Sequence, residues 1–318
     1  MMSQRRRNKI EEVLSYLENQ ITQGNSDNDG IAENITFFRH AYSRIDFYKW
    51  LYTKATTIRQ ENLLELMDID PNSPYDKELV TSLAATERKV FPGLVNPLVK
   101  EIFHLIYDHD QSIIMSLGSG AMEVERRVIT KLIRSGNKKP VFFVGIDNSD
   151  TSHGIAKNNL AEIKSGINII EINELNDTSL QLIINKNKSL YTIILCKNNI
   201  FLFDKCFKKS QFDVAYNCFF KHHLTAEQSE KADDILKRHT KIMIDYDGVK
   251  SNFNSFIQSL FVWQNPVLLN GTVFSNLRYL KKSDLKSMND GVKIKTYWMK
   301  GTYLKETSNP KPHDPGII

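Results

Sequence analysis

Ser112-Ile-Ile-Met-Ser-Leu-Gly-Ser-Gly-Ala-Met-Glu-Val-Glu125, followed by Val141-Phe-Phe-Val-Gly-Ile-Asp147, is the part of the chain that decides its fold. The first segment reads as a buried strand, a glycine turn and the start of a helix. The second reads as another buried strand that ends on a carboxylate. Glycines let a backbone come close to a bound ligand, and the helix start after them presents N–H groups with no partner in the helix. A carboxylate at the tip of the next strand is placed to accept hydrogen bonds from a ribose. Together these features describe a nucleotide-type pocket.

Downstream of this stretch, strands and helices alternate. A helix is predicted at about 150–164, opened by Ser149 or Asp150, and Ile167–Ile172 and Tyr191–Phe203 are both strand-like, with a helix between them at 177–185. Phe212–Asn217 and Thr240–Asp245 are further strands, separated by a helix at about 225–239. Val292-Lys-Ile-Lys-Thr-Tyr-Trp298 alternates apolar and polar residues, turns at Lys300-Gly301 and returns through Thr302-Tyr-Leu-Lys305, which predicts an antiparallel hairpin. Upstream, Ile10, Val13, Leu14, Leu17 and Ile21 fall on one helical stripe, and a second helical stretch runs from about Ala32 to Lys54. Its aromatics (Phe37, Phe38, Tyr42, Phe47, Tyr48, Trp50) are either simple core or a lid over an apolar substrate. More helix over 77–109 is interrupted near Pro92-Gly93 and Pro97. The linear division is a helical N-terminal cap at 1–87 and an α/β domain at 88–318.

Composition excludes several classes. With 318 residues and 41% hydrophobic content, the chain can bury a full α/β core and keep residues for a second unit. No uncharged apolar run is long enough to cross a bilayer. The basic start, Met1-Met-Ser-Gln-Arg-Arg-Arg-Asn-Lys-Ile10, runs into Glu11-Glu12 and is not expected to act as a secretory signal. Cys196, Cys206 and Cys218 lack zinc-ligand spacing and read as reduced thiols of a cytoplasmic protein. A net charge of +5, spread along the chain, does not indicate a nucleic-acid partner.

Gly118-Ser-Gly120 does not complete a dinucleotide fingerprint, because Glu123 stands where a third glycine is wanted. A bulky acid there opposes both close helix packing and a pyrophosphate. The pattern resembles instead the class I S-adenosylmethionine-dependent methyltransferases. Leu117-Gly-Ser-Gly-Ala121 looks like their first motif. Val144-Gly-Ile-Asp-Asn-Ser149, with Ala156 through Asn159 downstream, is similar to their second-strand acid and the helix after it. Phe212-Asp-Val-Ala-Tyr-Asn-Cys-Phe-Phe-Lys-His-His-Leu-Thr225 resembles the fourth-strand segment, which in many small-molecule members ends in a His-His-Leu run. The terminal hairpin matches the reversed last strand of that family. The resemblance spans roughly residues 88–306. It implies an α/β fold with a doubly wound, mostly parallel seven-stranded sheet, a C-terminal antiparallel hairpin and a helical N-terminal cap.

By position, the resemblance implies S-adenosyl-L-methionine as cofactor, with Leu117, Gly118, Ser119 and Gly120 passing close to its amino-acid portion. Asp147, with Asn148 beside it, would take the ribose hydroxyls. Asn199, or Asn198 in a shifted register, sits where the family often has an acid that contacts the adenine amino group. Asn217 and Cys218 would lie beside the methionine end. Two departures stand out: the acid expected two residues before the first glycine is Ser116, and the usual third glycine is Met122. Glu123 and Glu125 are available nearby as compensation. Glu125 also reads as an exposed first-turn acid favoured by the helix dipole.

His222 and His223 follow the fourth-strand segment. Either imidazole suits a general base toward an oxygen or nitrogen nucleophile; alternatively the pair closes the loop and caps the helix that starts near Thr225. No metal is expected, since neighbouring histidines seldom point to one site and no third ligand is evident. In Ile244-Asp-Tyr-Asp-Gly248 the carboxylates either orient a polar or cationic substrate or form an Asp-Gly turn. Arg278 and Tyr279 line the same cleft or the surface. The expected activity is methyl transfer to an oxygen or nitrogen of a small organic acceptor, with no nucleic-acid or membrane partner and a homodimer through the N-terminal helices. The competing readings are a catalytically inactive cofactor-binding scaffold and an NAD-dependent oxidoreductase.

Overall fold

The computed structural model describes residues 3–23, 28–57, 65–69, 73–89, 93–163, 166–208, 212–287, 292–297 and 302–308. The chain divides into two compact units, one of Met1–Leu83 with Gly248–Lys286 and the other of Ala84–Asp247 with Ser287–Ile318. Among the described residues, no helix is long and apolar enough to cross a membrane.

The second unit is built on a sheet of eight strands: β1 (Ser112–Leu117), β2 (Val141–Asp147), β3 (Ile167–Ile172), β4 (Tyr191–Lys197), β5 (Phe212–Cys218), β6 (Thr240–Gly248), β7 (Val292–Tyr297) and β8 (Thr302–Ser308). Their order is β3-β4-β2-β1-β5-β6-β8-β7. β1 runs parallel to β2 and β5, β4 parallel to β2 and β3, and β5 parallel to β6. β7 and β8 form the antiparallel hairpin, with Val292 opposite Thr307 and Tyr297 opposite Thr302. Its turn at 300–301 lies outside the described residues. The sheet is thus doubly wound and mostly parallel, with eight strands where seven were expected. Ile167–Ile172, strand-like in the sequence, is the edge strand β3, and β4 lies between it and β2.

The strands read as near-continuous apolar runs because helices cover both faces. Ile114, Phe143, Ile193 and Val214 pack on one side with Leu98, Ile102, Val128 and Leu132. Their chain neighbours Met115, Val144, Ile194 and Ala215 pack on the other with Phe203, Phe207, Ile235 and Leu236. Each such side chain adds about 1.5–3 kcal/mol of burial free energy. Local signals place the helices. Ser149 accepts from the Ser152 N–H to open the helix Asp150–Ala161, and Thr225 forms a capping box with Gln228 at the start of Ala226–His239.

The first unit is helical. Gln4–Thr22 buries Ile10, Val13 and Leu17, as its stripe predicts. The stretch expected as one helix from Ala32 to Lys54 is two, Asn28–His40 and Arg44–Thr57. The Ser43 hydroxyl accepts from the Asp46 N–H and starts the second helix. The aromatics are core rather than lid: Phe37 meets Phe38, Phe47, Trp50 and Phe274 edge-on at centroid distances of 5.1, 5.7, 5.3 and 5.2 Å. The buried Arg6 guanidinium donates to the carbonyls of Trp263 and Ala41 at 2.7 and 2.6 Å and stacks on the Trp263 ring. Asn252–Val262 and Pro266–Arg278 belong here, because Val262, Trp263, Val267, Val273 and Phe274 share this core. The linear division at residue 87 had put them with the α/β domain.

Tyr246 locks the sheet to its surroundings: its hydroxyl donates to the Leu94 carbonyl and pairs with the Thr302 hydroxyl at 2.9 Å. Tyr246→Phe removes both bonds while keeping the ring. We expect a loss of about 1–2 kcal/mol, read as a lower urea midpoint with an unchanged slope.

Candidate functional site

Parallel register gathers most of the residues singled out above at one edge of the sheet. Leu117 lies opposite both Ile146 and Asn217, Asp147 opposite Lys197, Asn217 opposite Asp245, and Cys218 opposite Tyr246. The carboxyl ends of β1, β2, β4, β5 and β6 therefore share one rim, where an open α/β sheet binds ligands.

After β1 the chain turns through left-handed backbone at Gly118 (φ +56°), Gly120 (φ +51°) and Met122 (φ +53°). Glycine meets this requirement without strain at the first two positions, whereas Met122 is an L side chain held in it. Two side chains, Asp147 and Asn159, hold the turn. The Gly120 N–H donates to Asp147 Oδ2 at 2.8 Å, while Asp147 Oδ1 accepts from the Ser149 N–H at 2.9 Å. Asn159 Nδ2 donates to the Ala121 carbonyl at 2.8 Å. Below the turn, Gly145 makes room for side chains: a Cβ there would stand 2.3 Å from Met122 Cε and 2.9 Å from Ser119 Oγ. A glycine inside a strand signals such an approach, and Gly145 had not been singled out.

The two glycines of the turn differ in surroundings. A Cβ on Gly120 would meet only the Gly118 carbonyl oxygen, at 3.9 Å, so its face is open. A Cβ on Gly118 would stand 2.3 Å from the Phe220 ring, so that glycine admits an aromatic side chain of this chain. Leu117 is buried in the core and Asn148 is exposed. Ser119 directs its hydroxyl inward against Gly145.

Glu123 and Glu125 both open the helix Glu123–Arg134, with different fates. Burial works to raise the Glu123 carboxyl, but bonds at 2.7–2.8 Å from Arg126 and Arg127 overcome it and hold the group at about 2. Glu125 is 1% exposed, which corrects its reading as an exposed first-turn acid. Burial pushes its carboxyl up, and the hydroxyls of Tyr216 and Ser116 are its neighbours.

At the end of β5, Asn217 Nδ2 donates to Asp245 Oδ1 at 2.6 Å, and Lys221 Nζ bonds Asp245 Oδ2 at 2.8 Å and also Asp233. Burial opposes the Lys221 charge, yet Asp245 and Asp233 more than offset it and raise the ammonium above its ordinary range. Phe219 takes left-handed backbone (φ +53°), a strained choice for an aromatic residue. His222 follows, buried, with Nδ1 at 3.0 and 3.1 Å from the two Asp247 oxygens and its N–H on the same carboxylate at 3.3 Å. The His223 ring lies tilted against it, with centroids 4.1 Å apart. Thr225 and Gln228 cap the following helix, so the histidines are not its cap.

Asp245 and Asp247 do not form an Asp-Gly turn: β6 continues to Gly248, and both carboxylates are buried on one face of it by the period of two. Asp247 as the partner of His222 was missed for that reason. β4 ends at Lys197 instead of running to Phe203, and Asn199 caps a single 3-10 turn by accepting from the Phe201 N–H at 2.9 Å. Asn198 Oδ1 accepts from the Asn199 N–H at 2.7 Å. Arg278 pairs with Asp68 inside the helical unit.

No protein-family model matches the chain, and no curated protein matches it. Among solved structures it is similar to the plantazolicin methyltransferase BpumL in complex with SAH, at 12% identity and a TM-score of 0.48 over 83% of this chain and 98% of that one. It is also similar to magnesium protoporphyrin IX methyltransferase (ChlM) from Synechocystis PCC 6803 with bound SAM (11%, TM-score 0.41, 80% and 99%). An O-methyltransferase family protein from Burkholderia thailandensis matches at 12% and 0.45 over 87% and 72%. Likenesses this remote bring neither substrate nor mechanism with them.

The Glu123 pairing gives a pH signature. A carboxyl held below its ordinary value stabilises the fold above that value and loses the contribution as pH falls through about 2. Glu123→Gln should cost about 2 kcal/mol at neutral pH, with the gap to wild type closing toward about pH 2 in urea titrations.

Proposed function

We propose that the chain is an S-adenosylmethionine-dependent methyltransferase acting on an oxygen or nitrogen of a small organic acceptor. The observation that carries this reading is the meeting, on one rim, of the glycine turn, Asp147, Asn217 and the His222–Asp247 pair. The motif order and the antiparallel hairpin beside β6 support it.

The residues on the rim fit such a cofactor. The face of Gly120 is open to a close backbone approach. Asp147 accepts the Gly120 and Ser149 N–H groups and stands at the tip of β2, the position from which a carboxylate takes ribose hydroxyls. Asn217 Oδ1 is buried without a hydrogen-bond partner among the described residues, since its amide nitrogen is committed to Asp245. Asn199 presents an amide near the end of β4 for the adenine. When bound, the cofactor supplies a methyl group made electrophilic by its sulfonium.

The chain's own task is then to hold the acceptor's lone pair in line with that methyl and to exclude water. For a hydroxyl acceptor a proton must leave as the new bond forms, and His222 takes it. Asp247 fixes the imidazole through Nδ1, sets its tautomer and stabilises the imidazolium. His223 packs against that ring at a tilt. A neutral amine needs little such help.

Calorimetry with S-adenosylmethionine, S-adenosylhomocysteine and NAD tests the class directly; binding of NAD alone would sink it. Binding of the sulfur cofactors without turnover of any acceptor would leave a scaffold. Asp147→Ala should weaken S-adenosylhomocysteine binding by more than about tenfold. With an acceptor in hand, His222→Ala and Asp247→Asn should each lower kcat about 10²-fold and remove the acid limb of the pH–rate profile. Unchanged profiles would make the pair structural.

A further inference from the structure

The helix Glu123–Arg134 buries Val124, Val128, Ile129 and Leu132 and leaves a basic face outside. Arg126, Arg127, Lys131 and Arg134 fall on that one face, over about 12 Å of helix. They line an open groove of about 440 Å³, with Asn96 and Val99 of the helix Asn96–Ile106 along its other side.

Acids do not match these cations. Arg126 and Arg127 share the Glu123 carboxylate, and Glu162 comes to 3.8 Å from Arg126. Lys131 and Arg134 have no carboxylate partner among the described residues. Neutral groups hold the surplus charge in place instead. Arg127 Nη1 donates to Asn96 Oδ1 at 3.1 Å, and the Lys131 ammonium lies 4.1 Å from the centre of the Phe103 ring. Neither neighbour removes any charge, so the cations are positioned without being neutralised. The helix dipole accounts for Lys131 and Arg134 in the last turn, but it disfavours cations near the start, where Arg126 and Arg127 stand. Those two side chains are only 23% and 17% exposed, so salt screens them less than a fully solvated pair.

We propose that this groove is an anion site for a chain of two or more phosphate groups, free or carried by a nucleotide. A single carboxylate would leave most of the surplus charge uncompensated, whereas each terminal phosphate brings about −1.5 to −2. Guanidinium forks and an ammonium point charge are the usual donors to phosphate oxygens. The length of the basic face suits several linked groups better than one. Binding is noncovalent and independent of the methyl-donor reading, since no groove residue belongs to the rim of the sheet.

The test is calorimetry of the full chain at neutral pH with orthophosphate, tripolyphosphate and ATP. Tripolyphosphate should bind one-to-one, at least about tenfold more tightly than orthophosphate, and should weaken as sodium chloride is raised. Lys131→Gln combined with Arg134→Gln should weaken tripolyphosphate by at least about tenfold. Lys186→Gln, which removes an exposed cation from another helix, should change it by less than about twofold. Equal affinity for ATP and tripolyphosphate identifies a free phosphate chain as the recognised group. ATP the tighter of the two, and weakened by the same double substitution, identifies a nucleotide. No saturable binding of tripolyphosphate overturns the proposal without recourse to any variant. So does binding that the double substitution leaves intact, or binding of an oligonucleotide or polyglutamate when none of the three phosphates binds.

Discussion

The hydrogen bond from the Gly120 N–H to the Asp147 carboxylate is the constraint from which the rim of the α/β unit follows. A turn through three left-handed residues is an expensive path for a chain, and an unanchored version would have many alternatives. Asp147 removes them by binding the turn on one oxygen and the start of the next helix on the other. Gly145 lets the turn settle against β2, and Asn159 holds its far side. Two strands and two helices therefore meet at one carboxylate, and the start of Glu123–Arg134, with its two acids, is placed by the same bond.

The second organising element is the buried charge cluster of Asn217, Lys221, Asp233 and Asp245. Such clusters add little net stability, because desolvation consumes most of the attraction. Their use is geometric. Lys221 fixes the segment that leaves β5, which fixes Phe220 before it and His222 after it. Asp245 turns the Asn217 amide so that its oxygen, rather than its nitrogen, is left over. The rim thus owes its polarity to groups one layer below it.

Much of this was legible in the sequence, for identifiable reasons. Strands buried on both faces write themselves as unbroken apolar runs, and Ser149 and Thr225 announce their helices by side-chain chemistry. The glycine turn and Asp147 were visible because their residue types are tied to backbone geometry. What stayed hidden depended on pairing. Nothing local says that β4 rather than β3 lies against β2, since both are short and apolar. Asp245 and Asp247 look like turn residues until β6 is seen to extend through them. Val262, Trp263 and Phe274 look like any helical core until their partners, Phe47 and Phe37, are known. Glu125 shows the limit most clearly. At the first turn of a helix an acid is ordinarily exposed, and only the packing of that helix over β1 and β5 buries it.

The contact between Gly118 and the Phe220 ring has a consequence for how this sequence can drift. The two positions are 102 apart in number yet share a single volume, because the ring stands where a side chain at 118 would begin. A lineage that gains any Cβ at 118 must shrink residue 220 in the same step, and one that loses the ring opens a void beside the turn. Among relatives the two sites should change together, as one inherited unit.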